Sequence, residues 1–150
     1  MTWAIERLNA LCAGAEPPPV VQTLGLGTLD AWGDGWARKH WSPKPELLNS
    51  DGSLFGGYLA ALADQALAFA AMTVVPADCM FRTVNLHVQF LRVGRAQRLL
   101  IESRVIAQSR QMMSCRAEFR SDDGALIAEA SAQQFLLAMP RERVAQAAKA

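Results

Sequence analysis

From Tyr58 to Val75 the chain runs eighteen residues without a glycine or proline, and its only charge is Asp64. Alanine and leucine dominate the run and are strong helix formers, so it predicts a helix of about four to five turns. A helix that is apolar nearly all round buries most of its surface. A membrane span is a poor alternative, because Asp64 and Gln65 fall near the middle, where an unpaired carboxylate is costly. The run therefore reads as a central helix wrapped by the rest of the chain. A carboxylate buried there needs either a partner or a function.

The other classes of protein are excluded mainly by composition. The 150 residues are 51% hydrophobic and 19% charged, with a net charge of +1. That suits one domain with a substantial core. It supplies no field to attract nucleic acid or an anionic membrane. The three cysteines, Cys12, Cys79 and Cys115, are scattered and form no metal-ligand spacing with the two histidines, so neither a metal nor a cofactor is expected. The first residues, MTWAIERLNALCAGAE, interrupt their apolar pattern with charges and lack the core of a signal peptide. A cytoplasmic protein is expected.

In chain order, Trp3, Ile5, Leu8 and Leu11 or Cys12 recur at helical spacing, with Thr2 as N-cap and Gly14 as stop. This N-terminal helix is assigned to residues 1–16. The Pro17-Pro18-Pro19 run predicts an extended linker. A first strand is expected from Val21 to Ala31 and a second from Trp36 to Trp41, joined as a hairpin by Gly33-Asp34-Gly35.

Beyond the helix, residues 81–91 alternate. Val84, Leu86, Val88 and Phe90 fall on one face, and Thr83, Asn85, His87 and Gln89 on the other, the pattern of a half-buried strand. Strands follow at 98–109, 111–121 and 126–137, the last two joined by Asp122-Asp123-Gly124. Four successive strands predict an antiparallel meander that the first hairpin can join. The class is α+β, one sheet wrapped round the helix over residues 20–139, followed by a charged, alanine-rich tail at 140–150 expected to form a short helix.

The stretch Asn49-Ser50-Asp51-Gly52-Ser53-Leu54-Phe55-Gly56-Gly57, with Asp64 seven residues on, resembles the signature of hot-dog-fold thioesterases. Within them it is most similar to the phenylacetate-degradation (PaaI-like) acyl-CoA thioesterases, whose pattern is N-x-x-G-x-x-H-G-G with an Asp in the helix. Residues 83–91 also resemble the family's strand after the helix. The likeness covers about residues 23–137 and leaves the N-terminal helix outside. It departs at one position: Phe55 stands where the family has its usual His.

Read on their own terms, Gly56 and Gly57 open a helix whose first N–H groups lack intrahelical partners. Without side chains they admit a carbonyl, and the helix dipole favours a developing negative charge. Such an oxyanion hole is worth roughly 3 kcal/mol per donor. The plainer reading is that the glycines allow a tight entry or close packing. Asp64 is a candidate general base or nucleophile toward a thioester, the plainer reading being a carboxylate satisfied by a cap, an arginine or water.

Seven residues place Gly57 and Asp64 on one face but about 10 Å apart, too far for one carbonyl carbon to touch both. Two antiparallel copies of the helix remove the conflict, so the spacing asks for a dimer. The resemblance implies the same: a homodimer with sites across its interface, commonly paired into a tetramer.

By resemblance, Asn49 lies with Gly57, and Thr83 stands beside Asp64 where its hydroxyl positions water. Phe55 and Gly56 would line the acyl pocket. Arg110, taken with Arg92 and Arg95, would hold the CoA phosphates. Exposed arginines, an Asn before a turn and a strand Thr are also ordinary features. His40 and His87 are poor candidates for a base. The expected function is acyl-CoA thioester hydrolysis by Asp64. The alternatives are an acyl-CoA-binding protein in which Phe55 marks lost catalysis, and a hot-dog hydratase or dehydratase, which lacks its His here.

Overall fold

The computed structural model describes residues 1–95, 97–140 and 142–143. The order is α1 (Trp3–Cys12), α2 (Pro19–Leu24), β1 (Ala31–Gly33), β2 (Trp36–Trp41), α3 (Gly56–Met72), β3 (Cys79–Phe90), β4 (Leu99–Gln108), β5 (Met112–Ser121) and β6 (Leu126–Ala138). The helix expected in the tail at 140–150 lies largely outside the described residues.

α3 is the predicted central helix. Its inner surface, including Leu62, Ala63, Leu67 and Ala70, is fully buried against β2, β3, β4, β5 and β6. α1 forms as its pattern demands, with Thr2 Oγ1 accepting from Ile5 N at 3.3 Å. Its Ala4, Leu8 and Leu11 join the same core as α3.

Several expectations fail for identifiable reasons. The first is the strand at Val21–Ala31. Pro19 instead occupies the first position of α2 and Gly25 ends it at φ +62°, a left-handed conformation that suits glycine. The next carbonyls are then taken by side chains rather than by a strand. Tyr58 Oη donates to Leu24 O, Trp41 Nε1 to Gly25 O at 3.1 Å, Lys39 Nζ to Leu26 O, and Gln65 Nε2 to Gly27 O at 2.7 Å. The hairpin survives with only its three-residue remnant β1.

The second failure is the meander. The sheet order is β1-β2-β4-β5-β6-β3, antiparallel throughout. β3 therefore pairs with β6, and β4 lies three strands away beside β2. The link at 91–98 is too long for a tight hairpin, where two to five residues are usual. It crosses the start of α3, where Leu54 N donates to Gly94 O at 2.9 Å. A Cβ on Gly94 would meet Leu54 Cδ1 at 2.6 Å, so glycine is needed here for close approach rather than for a turn.

β3 also departs from simple alternation. Its register with β6 slips between Thr83 and Asn85, leaving Val84 as the extra residue of a bulge. A bulge reverses which face the following residues take. Thr83 and Phe90, of opposite parity, thus both face α3, while His87 and Gln89 line the outer surface with Arg116 and Glu129. As the sheet edge, β3 is exposed over most of its length, with Val84 at 55% and Phe90 at 56%. The half-buried strand expected from sequence is open on both faces in the single chain.

Candidate active site

The exposed side of α3 is a stripe of small residues, Gly57, Ala60, Ala61, Asp64 and Ala68, at helical spacing. Asp64 is the one charged group in it and is exposed, not buried as its apolar surroundings suggest. The bulge brings Thr83 to it, with Thr83 Oγ1 donating to Asp64 Oδ1 at 3.0 Å. Thr83 Oγ1 also lies 2.9 Å from Gln134 Oε1 on the neighbouring strand β6. From this pair a groove of about 270 Å³ runs beneath α2, lined by Val20, Val21, Leu24, Leu26, Ala61, Gln65 and Ala68. The site thus offers one carboxylate, one hydroxyl and an apolar channel.

At the other end of the stripe, α3 begins without a cap. Phe55 is the N-cap and offers no side-chain acceptor, so the Gly56 and Gly57 N–H groups have no acceptor among the described residues. Both glycines are also packed. A Cβ on Gly56 would meet the Phe90 ring at 3.1 Å, and one on Gly57 the Phe55 ring at 2.7 Å. Phe55 is 57% exposed, so its ring stands over the helix entry as a wall open to solvent. Beside it, a second groove is lined by Ser53, Leu54, Gly56, Leu59, Phe90 and Arg92. This groove and the one at Asp64 are separate within the single chain.

The loop entering α3 is braced by its own polar residues. Asn49 Nδ2 donates to Ser53 Oγ at 3.0 Å and to Leu54 O at 3.4 Å. Ser53 in turn donates to Asp51 Oδ1 from its hydroxyl at 2.6 Å and its N–H at 3.0 Å, which holds the Asp51 carboxyl below the usual carboxylate range. Arg95 Nη1 donates to Asp51 O at 3.1 Å. The Nδ2 of Asn49 is therefore committed to the loop that enters α3.

Arg110 is exposed in the β4–β5 turn, at the opposite end of β4 from Arg92 and Arg95. One chain does not bring the three together. His40 bonds Asp30 Oδ2 through both its N–H and its Nδ1, each at 2.7 Å, and His87 faces the outer sheet surface. Neither reaches Asp64.

Sequence reasoning missed Gln134 and the cover supplied by α2. Gln134 is a fully buried amide on β6. Its signal was a polar residue at an inward position between Ala132 and Leu136, visible only once the strand's phase is known.

The sequence profile of the thioesterase superfamily matches residues 51–128. No curated protein sequence matches the chain. Among solved structures, a phenylacetic acid degradation-related protein of Ralstonia eutropha shares 28% identity and a TM-score of 0.74, over 85% of this chain and 98% of that one. A thioesterase family protein of Silicibacter pomeroyi shares the fold with TM-score 0.78 at 22% identity, over 91% and 99% of the two chains. A hypothetical thioesterase of Streptococcus pneumoniae, solved with coenzyme A, has TM-score 0.68 at 20% identity, over 74% and 85%. The common architecture is the hot-dog fold, one antiparallel sheet around a long helix. No helix among the described residues is long and apolar enough to cross a membrane.

Proposed function

Because the chain belongs to the thioesterase superfamily and is thereby a thioester hydrolase, we propose that its substrate is an acyl-CoA, cleaved to the free acid and CoA with Asp64 as general base. The observation that carries this reading is the Asp64–Thr83 contact of 3.0 Å at the mouth of an apolar groove. Asp64 takes a proton from water as its oxygen attacks the thioester carbon. The charge that develops on the carbonyl oxygen meets the uncapped N–H of Gly57. The C–S bond then breaks, and the leaving thiolate recovers the proton from Asp64.

The acyl chain enters the groove beneath α2, and Phe55 forms a wall at the helix entry. CoA as carrier is supported by the coenzyme A bound in the Streptococcus pneumoniae relative. Arg92, lining the groove beside Gly56, supplies a cation for its phosphates, and Arg110, at the far end of β4, contributes only across a subunit boundary. Asn49 acts through the loop it braces.

The two halves of the site lie on one helix about 10 Å apart, so the reading requires a dimer. The exposed edge β3, with Val84, Leu86 and Phe90 uncovered, suits antiparallel pairing with a second copy. Such pairing extends the sheet and sets Gly57 of one helix against Asp64 of the other.

The test is thiol release from aromatic, short-chain and long-chain acyl-CoAs. Asp64→Asn is expected to lower kcat by roughly 10²–10⁴-fold with fold and assembly unchanged. Full activity in that variant overturns the mechanism. Binding of acyl-CoA without release by the wild-type protein would instead support the acyl-CoA-binding alternative.

A further inference from the structure

The hydrogens around Thr83 do not balance as a simple list of contacts. Its hydroxyl carries one hydrogen and lies 3.0 Å from Asp64 Oδ1 and 2.9 Å from Gln134 Oε1, two acceptors for one proton. Meanwhile Gln134 is 0% exposed and its Nε2 has no partner among the described residues. A buried amide nitrogen without an acceptor is costly. The oxygen and nitrogen of a carboxamide have the same outline, and turning the group over gives the nitrogen an acceptor and leaves the Thr83 hydrogen a single one, with the carboxamide oxygen set where the nitrogen stood. The hydroxyl hydrogen goes to the charged carboxylate, the stronger acceptor. The amide nitrogen then turns to the Thr83 oxygen and donates to it.

We propose that Gln134 is a positioning residue for the reaction: its buried N–H holds Thr83 Oγ1, so that the Thr83 hydroxyl points at Asp64 and fixes the carboxylate. The inference rests on Asp64 being the catalytic carboxylate and adds a relay behind it, Gln134 to Thr83 to Asp64. Gln134 touches neither substrate nor water. It removes the alternative rotamer in which Thr83 donates away from Asp64, and it leaves the second carboxylate oxygen for the water. The rigid strand β6 supplies the register: Gln134 stands opposite Thr83 in the β3–β6 pairing, one step before the bulge that turns the following residues over.

The experiment is a double-mutant cycle with Gln134→Met, which keeps length and removes both polar atoms, and Thr83→Val. Each single variant is expected to lose about tenfold in kcat with KM little changed, and the double variant to be no worse than Thr83→Val alone. Losses that multiply, or a change confined to KM, overturn the relay. A second readout needs no activity and leaves Gln134 in place. In ¹⁵N-labelled protein one of the two Gln134 side-chain amide protons, held downfield by its bond to Thr83 Oγ1, is expected to move upfield on Thr83→Val while its geminal partner moves little. Two protons that stay in place or move together overturn the proposal even if Gln134→Met fails to fold. Wild-type protein that releases no thiol refutes the functional reading while the amide signals still decide whether Gln134 donates to Thr83.

Discussion

A lysine ammonium whose side chain is 1% exposed must find acceptors or lose its proton, and Lys39 does some of each. Its Nζ donates to Leu26 O and, at 2.6 Å, to Gln65 Oε1. Burial lowers its pKa from 10.5 to about 8, with the negative charge of Asp30 opposing the fall. In the unfolded chain the amine holds its proton up to the ordinary value, so between pH 8 and 10.5 unfolding takes up a proton. Lys39 therefore imposes its full penalty below pH 8, and its contribution to stability rises as pH climbs through that window, by an amount of order 3 kcal/mol. Urea unfolding of wild type and Lys39→Met from pH 7 to 10.5 is expected to show this rise in the difference between the two. Cys115, whose thiol burial pushes up to about 12, works in the opposite direction in both proteins and cancels. A difference that is flat with pH would mean that Lys39 stays charged in the fold.

At the scale of one element, the start of α3 separates the two meanings of its glycines. If Gly57 only eases the entry of the chain, an alanine there disturbs folding and activity together. Its added Cβ would meet the Phe55 ring at 2.7 Å, but that ring is 57% exposed and swings aside. Alanine also favours helix over glycine by up to about 1 kcal/mol. Gly57→Ala is therefore expected to keep or slightly raise Tm while lowering kcat/KM by about tenfold or more, because the methyl crowds the carbonyl's approach to the N–H. Calorimetry beside thiol release checks it, and a variant that loses Tm in step with activity returns the glycine to a packing role.

For the whole molecule the decisive quantity is which atoms come from which copy. Asp64→Asn and Gly57→Ala, each impaired alone, are expected to complement when mixed and reassociated. In a heterodimer one of the two sites receives both intact halves, which restores about a quarter of wild-type activity in a random mixture. Replacement of Val84 and Leu86 by lysine on the open edge of β3 is expected to shift the protein to monomers and remove activity with them, as sedimentation would show. A monomer with full turnover would place the complete site in one chain.

The central helix, the strands from residue 81 onward, the Asp-Gly turn and the Asn49–Asp64 motif were legible in the sequence because each rests on local chemistry. Apolar runs select helix, alternation selects strand, and glycine marks the turn. The pairing of Asp64 with Thr83 was legible too, though only through resemblance. What tertiary structure alone decided was where neighbouring backbone would find its hydrogen bonds. The residues after Leu24 gave up a strand because Tyr58, Trp41, Lys39 and Gln65 claimed their carbonyls. The bulge at Val84 turned Thr83 toward the helix, reversing a face that alternation had assigned. Gln134 came to stand against Thr83 only through its register in the β3–β6 pairing. Periodicity is a property of the chain, whereas phase, register and the ownership of a carbonyl depend on partners distant in sequence.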